Sequence, residues 1–405
     1  MTHAAIAIIG SGPAGLMAAE TLATAGHKVV IYDRMPSPGR KFLLAGRGGL
    51  NLTHGEDLSR FVTRYGEAAE KLTPSISEYP PAAVVQWAEG LGQTTFTGSS
   101  GRIFPEAFKA TPLLRAWLAR LGGLGVRFAF RHRWTGWDDA GKLTFATPEG
   151  SISIDAEATL LALGGASWPR LGSDGGWVEI LDSRGIAVSP LKPANVGFSI
   201  RWSDFFRERF EGEPLKRIAI RFNGKAMRGE AIITGSGIEG GAVYAIGAAI
   251  RDEILQNGEA TLTIDLRPDL DEDALTKRLD VDRKRQSSST FLRKAVALSP
   301  VAIALLREAT GSTPPTESAA LAALIKAVPL RLTGIADIDR AISTAGGVAF
   351  DEIDDSFMLR QHSGVFVAGE MIDWEAPTGG YLLQGCFSTG VAAARGILTF
   401  LEKRR

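Results

Sequence analysis

The sequence predicts an α/β fold: a doubly wound parallel sheet supplied by both ends of the chain, interrupted by an insert of different character. Three observations carry this. Near the start, an apolar run (Ala4 to Ile9) stops at Gly10, an Ala/Leu/Met-rich segment follows, and a second, mostly apolar run (Lys28 to Tyr32) ends on Asp33. From about residue 191 the pattern changes to short alternating strands. Near the end, Val365 to Ala368 runs into Gly369-Glu370, and a glycine-rich turn opens a helix of small residues from about Leu383.

The first stretch reads as strand, turn, helix, strand, acid, which is the opening βαβ unit of a dinucleotide-binding sheet. Each residue type has a physical task. Gly10 permits the tight turn out of the strand, Gly12 lets the backbone approach a pyrophosphate, and Gly15 lets the helix pack close to the sheet. The helix starts near Pro13-Ala14, so its free N–H groups and positive dipole end face the phosphates. Asp33, 23 positions after Gly10, can accept hydrogen bonds from ribose hydroxyls. Which dinucleotide binds is left open by these residues.

The next stretch, Met35 to His54, holds two prolines and four glycines and is expected to be an ordered loop without regular helix. It leaves the carboxyl end of the second strand, beside the crevice where such sheets bind ligands. Its cations Arg40, Lys41 and Arg47, with Gly46 and with Arg34 just before the stretch, suit phosphate or ring contacts. Helices are predicted over Pro81 to Leu91 and Pro112 to Leu124, with a short extended element from Gly101 to Lys109 between them. Arg102 and Lys109 read as surface charges. Val126 to Phe130, Lys142 to Thr147 and Ile152 to Ile154 read as half-buried strands of a small antiparallel meander. A buried strand from Ala158 then ends at Gly164-Gly165, where the chain can pass close to the dinucleotide. Gly176 to Gly185 reads as a helix.

Between Leu191 and Pro268 strands are expected at Gly197 to Ile200, Arg217 to Phe222, Glu230 to Thr234 and Ala260 to Asp265. Residues 269 to 328 read as helical, so an all-β insert carries a helical unit. Gly235-Ser-Gly-Ile-Glu-Gly240 repeats the glycine spacing before a predicted helix (Ala242 to Gln256). Its acid, Asp265, lies 30 positions on, against about 20 in a nucleotide site, which argues against a second one.

Composition bounds the function. Forty-five basic and 45 acidic side chains leave no net charge, which argues against a non-specific nucleic-acid binder. Cys386 is the single cysteine, so any electron transfer needs a bound cofactor and not a dithiol. No metal-ligand pattern is visible. No basic stretch precedes the first apolar residues, and no apolar run reaches 18 residues; the expectation is a cytoplasmic protein without a membrane span.

The C-terminal segment decides the cofactor. A second strand, turn and helix returning at the chain end is what FAD proteins with an N-terminal nucleotide motif require, and an NAD dehydrogenase does not. Glu370 and Asp373 are then placed at the ribityl chain or pyrophosphate. Gly369, Gly380, Tyr381, Leu383 and Gln384 are placed where the helix meets the flavin.

At this point the chain resembles the BaiN-like (YhiN-like) family of bacterial flavoproteins over nearly its whole length. The resemblance rests on Gly10 to Gly15, Gly39 to Thr53, Gly101-Arg-Ile-Phe-Pro105 with Lys109-Ala110, Ala162 to Pro169, Gly346-Gly-Val348 and Ala368 to Gln384. It implies a Rossmann-type FAD-binding domain built from both chain ends (residues 1–190 and 343–405). A β-barrel insert (191–268 and 329–342) would carry a helical subdomain (269–328), with Gly235 to Gly240 an insert loop facing the flavin. The sequence has Gly46-Arg-Gly-Gly-Leu-Asn51 where many members have Gly-Gly-Gly-Arg-Cys-Asn. The implied activity is NAD(P)H-driven reduction of an unsaturated small molecule through the flavin, with NADH or NADPH as transient co-substrate and a small-molecule electron acceptor. Tyr381, Asn51, Arg47 and Lys41 are the candidate catalytic donors, Tyr381 with simple packing as its competing reading; His54 is a further candidate proton donor. The alternatives are a flavoprotein acting on RNA and an FAD-binding sensor without turnover.

Overall fold

The computed structural model describes residues 3–46, 48–311 and 313–404, with side chains from Ile6 onward. The chain divides into two compact units, Met1–Lys192 with Ser343–Arg405, and Pro193–Ile342.

The first unit opens with β1 (His3–Ile9), α1 (Pro13–Thr24) and β2 (Val29–Asp33). β1 and β2 pair in parallel, with Ile6 opposite Val29 and Ile9 opposite Tyr32. Their continuous apolar runs fit a sheet buried on both faces. A short helix follows, α2 (Arg40–Ala45), inside the stretch expected to lack one. Five of the six residues between Gly39 and Gly46 are good helix formers, so the glycines bound the helix and do not prevent it.

Next come β3 (Thr53–His54), α3 (Leu58–Val62), α4 (Ala69–Glu78), α5 (Pro81–Gly90), β4 (Thr95–Thr97), β5 (Arg102–Pro105) and α6 (Ala110–Gly123). The strands β3, β5 and β4 form a small antiparallel sheet of their own.

β6 (Arg127–Phe130) is not part of the meander. It pairs in parallel with β2 at the edge of the main sheet, because α6 serves as a crossover helix and returns the chain parallel. The meander is β7 (Arg133–Trp137), which sequence reading missed, with β8 (Leu143–Thr147) and the first half of β9 (Gly150–Leu161). The expected short run at 152–154 and the buried strand from Ala158 are one twelve-residue strand. Its second half pairs in parallel with β1. After α7 (Val178–Asp182), β10 (Val188–Ala194) leads out of this unit.

The second unit contains β11 (Phe198–Ser199), α8 (Asp204–Phe210), β12 (Pro214–Phe222), β13 (Lys225–Thr234), β14 (Gly237–Glu239), α9 (Gly241–Tyr244), α10 (Gly247–Asn257) and β15 (Ala260–Asp265). Helices α11 (Glu272–Leu279), α12 (Ser288–Ala295), α13 (Pro300–Thr310) and α14 (Ser318–Lys326) precede β16 (Val328–Leu332) and β17 (Gly334–Ile335). The antiparallel strand order is β16-β15-β12-β13-β14-β11-β17. Its two end strands, β16 and β17, are consecutive in the chain, separated by Thr333 alone. Helix α8 corrects the all-β reading: Ser203 caps it by accepting from the Phe206 N–H, and Phe206 and Phe210 bury one face. Gly235 to Gly240 lies in the β13–β14 hairpin, where a Cβ on Gly237 would sit 1.9 Å from Phe198 O. That spacing serves strand packing, not a βαβ turn.

The chain re-enters the first unit through β18 (Ser343–Val348), which pairs with β10. β19 (Val365–Val367) then pairs in parallel with β9, and α15 (Tyr381–Glu402) packs along α1. Among the described residues no helix is long and apolar enough to cross a membrane.

Candidate functional site

The three glycines of the first turn are needed for three different reasons. Gly10 has φ +107°, and a Cβ there would lie 2.2 Å from Ala162 O. A Cβ on Gly15 would lie 2.0 Å from Gly10 O. Gly12 has nothing within 4 Å of its Cβ position, so its missing side chain leaves open space. Gly12 also caps α1 without a side-chain hydrogen bond, so the first N–H groups of Pro13–Thr24 face that opening. Asp33 fixes the turn from the end of β2. One carboxylate oxygen accepts from Ser11 N (2.8 Å) and Ser11 Oγ, the other from Met35 N (2.7 Å).

The chain's last strand brings a second set of residues to the same place. Gly369 has φ +81°, and a Cβ on it would be 2.8 Å from Ala14 Cβ. Glu370 follows, buried to 7% exposure. Its Oε1 accepts from Thr344 N (2.9 Å) and its Oε2 from Lys41 Nζ (2.8 Å). Lys41 Nζ also donates to Ser167 Oγ at 2.9 Å. Gly165 passes so near Thr344 that a Cβ would lie 2.3 Å from Oγ1, and Gly164 turns with φ +70°. Lys41, Gly164, Gly165, Gly369 and Glu370 are thus gathered around the glycine turn. Thr344, Ser167 and Ser173 escaped sequence reading, although the last two follow the Gly164-Gly165 pair.

Several polar atoms near this turn have no partner. Arg34 Nε, Arg40 Nε and Asn51 Oδ1 are buried and unbonded. Buried polar atoms are nearly always satisfied, so these three keep hydrogen-bonding capacity that no protein atom uses, as do Trp134 Nε1 and Gln286 Oε1 elsewhere. Arg34 is otherwise held by Pro169 O (2.9 Å) and Asp174, and Arg40 by Ser37 Oγ (3.1 Å). Gly46 has a packing reason: its Cβ would meet Ala110 Cβ at 2.6 Å. Arg47 lies outside the described residues.

The start of α15 differs from expectation. Tyr381 is 4% exposed, and its hydroxyl donates to Glu56 Oε1 at 2.5 Å. Glu56 also accepts from Arg64 at 2.9 and 2.7 Å. The Arg64 hydrogen bond, partly opposed by burial, pulls the Glu56 carboxyl down to about 2. Burial, then the Glu56 carboxylate, pushes the Tyr381 hydroxyl well above its ordinary range. That hydrogen bond commits the Tyr381 hydroxyl to Glu56. His54 stacks on that ring at 5.4 Å. Its Nδ1 accepts from Glu56 N (3.2 Å) and its Nε2 faces Ser100 O (3.0 Å), which fixes Nε2 as the protonated nitrogen and occupies both.

Gln384 has no side-chain donor to spare: Nε2 donates to Tyr79 O and Ser388 Oγ, while Oε1 accepts from Thr53 Oγ1. Asp373 accepts from Ser189 Oγ at 2.5 Å. Leu383 offers only a half-buried apolar surface. Gly380 has φ +94°, and a Cβ there would lie 2.5 Å from Thr53 Cα. Among the described residues no cluster of His, Cys, Asp or Glu could hold a metal ion.

A parallel sheet, an open glycine turn at a helix N-terminus and a strand-end acid define the Rossmann class of nucleotide-binding proteins. More narrowly, the chain belongs to the HI0933-like family, whose description is "HI0933-like protein Rossmann domain" and whose match spans residues 4–396. The BaiN-like resemblance holds as well. The chain is 27% identical to the 3-dehydro-bile acid delta(4,6)-reductase of Clostridium scindens, over 96% of this chain and 98% of that one. It is 24% identical to the ribosomal RNA dihydrouridine synthase of Haemophilus influenzae, over 96% and 97%. Among solved structures, the 3-ketosteroid delta1-dehydrogenase of Sterolibacterium denitrificans shares the fold, with a TM-score of 0.56 at 12% identity, covering 98% of this chain and 100% of that one.

Proposed function

We propose that the protein is an FAD-dependent oxidoreductase that takes hydride from NADH or NADPH and saturates a carbon–carbon double bond in an unsaturated carbonyl compound. One observation carries the FAD assignment: Gly369-Glu370 from the chain end sits against Ala14 of the N-terminal turn, forming a split site with unbonded buried atoms around it. The bare backbone at Gly12 and the N–H groups opening α1 would hold the pyrophosphate. Asp33 would face the ribose, and Lys41 and Glu370 would orient the remainder through their ion pair. Bound FAD supplies hydride transfer.

The substrate class is supported by the relatives' names: a delta(4,6)-reductase and a dihydrouridine synthase both denote saturation of a ring double bond. The second of these also favours an RNA substrate. The balance of 45 basic and 45 acidic residues weighs against a strong phosphate-backbone binder, so a small molecule is the reading adopted here. Anaerobic stopped-flow mixing with NADH and with NADPH, then with a panel of enones, tests it. Flavin bleaching followed by enone-dependent reoxidation is expected. Flavin that stays oxidised with both nucleotides overturns the donor, and salt-sensitive retention on ribosomal RNA would favour the RNA substrate.

A further inference from the structure

The sequence treats Arg102 as a surface charge, but the structure half-buries it. Among the described residues its guanidinium has no hydrogen-bond or ion-pair partner. A Cβ on Gly379 would lie 3.9 Å from Arg102 Nε, so this free cation stands beside the Gly379-Gly380 turn that opens α15. The guanidinium nitrogens still reach solvent, and a guanidinium carries five N–H donors and no acceptor, so this cation is free to meet an anionic ligand.

The neighbours of Arg102 indicate the kind of ligand. In β5 the exposure alternates, with Ile103 and Pro105 inward and Arg102 and Phe104 on the outer face. Phe104 stands opposite Phe96 in the small sheet, and their rings stack at 5.7 Å. Phe104 also stacks on Phe108 at 5.1 Å and 16°. Phe108 is 46% exposed and holds a left-handed backbone (φ +57°), a conformation costly for an aromatic residue. Leu50 N donates to Phe108 O at 3.0 Å, tying this shelf to the loop that carries Asn51, whose Oδ1 is buried and unbonded.

We propose that Arg102 and the Phe104–Phe108 stack form the acceptor subsite, which takes a planar conjugated acid. Its flat hydrocarbon lies on the phenyl rings and its carboxylate on the Arg102 guanidinium, which binds carboxylates through two parallel hydrogen bonds. Positions 102 and 104 are separated by ~6.8 Å along the strand, about the reach from a fused ring to a carboxylate it bears. Arg102 is here a specificity-determining residue. The assignment rests on the oxidoreductase reading above.

The test is equilibrium dialysis of the purified protein with 2-naphthoate and, separately, the neutral 2-naphthamide. The wild type is expected to bind both. Arg102→Gln should weaken 2-naphthoate about tenfold or more and leave 2-naphthamide unchanged. Phe104→Leu should weaken both, and Arg102→Lys should restore part of the naphthoate binding. An unchanged melting temperature in the Arg102 variants separates lost recognition from lost folding. Arg102→Gln binding naphthoate like the wild type, or a wild type that binds no naphthoate, overturns the subsite. The FAD content and nucleotide reduction of the wild type report on the enzyme reading separately, because dialysis needs no turnover.

Discussion

Lys41 Nζ lies 2.8 Å from Glu370 Oε2 across 329 positions of sequence, and this pair ties helix α2 to the turn that follows β19. Glu370 is 7% and Lys41 23% exposed at the side chain, so loss of either partner leaves the other poorly compensated. Lys41→Met and Glu370→Gln should each destabilise the fold by ~1–3 kcal/mol. The double variant should cost less than the sum of the two, because the residues share one interaction. Urea denaturation of the four proteins checks this; strict additivity would show that the pair contributes little.

Gly12 and Gly15 separate ligand binding from folding. Gly15→Ala drives a methyl into Gly10 O, whereas Gly12→Ala meets no protein atom. Gly12→Ala should therefore keep a melting temperature near that of the wild type and purify with little FAD, while Gly15→Ala should express poorly or unfold early. Equal FAD content in Gly12→Ala and wild type would contradict the placement of the pyrophosphate.

Glu56 makes stability depend on pH. Its carboxyl is held at about 2, below the ordinary value of ~4.3, so the folded state binds this proton more weakly than the unfolded chain. The stabilisation is complete above about 4.5 and is lost as pH falls through about 2. With Arg64 32% exposed at the side chain, solvent screening reduces the worth of the pair to ~1 kcal/mol. Glu56→Gln should be less stable than wild type by that amount at pH 7, and the gap should narrow below pH ~4.5. A gap that stays constant to pH 2.5 sinks the assignment.

Cys386 should be chemically silent in the folded protein. It is 7% exposed, and burial first, then the Glu370 charge, pushes its thiol up to about 12. A thiol reagent at pH 8 should titrate no cysteine in native protein and one after unfolding. Rapid native labelling would show that this part of α15 opens.

Local features were legible because they depend on near neighbours. The spacing of Gly10, Gly12 and Gly15, the apolar runs of β1 and β2, and the acid at Asp33 specify a βαβ unit through backbone freedom and burial alone. The helix Arg40–Ala45 is hidden by the glycine content of its stretch, because Gly39 and Gly46 mark the segment's ends and do not interrupt it. The pairing of β6 with β2 is not legible in the sequence, because an alternating strand carries no record of which strand it will pair with.

The sequence by itself therefore determined the class of sheet, the glycine turn and the return of the chain end, each set by short-range sterics and periodicity. Only the tertiary structure decided which charges meet. It paired Lys41 with Glu370, committed the Tyr381 hydroxyl to Glu56, filled the Gln384 amide with internal partners and, among the described residues, left Arg102 without one. Whether a charged side chain is satisfied or free depends on atoms hundreds of residues away, and in a chain with as many cations as anions composition cannot tell them apart.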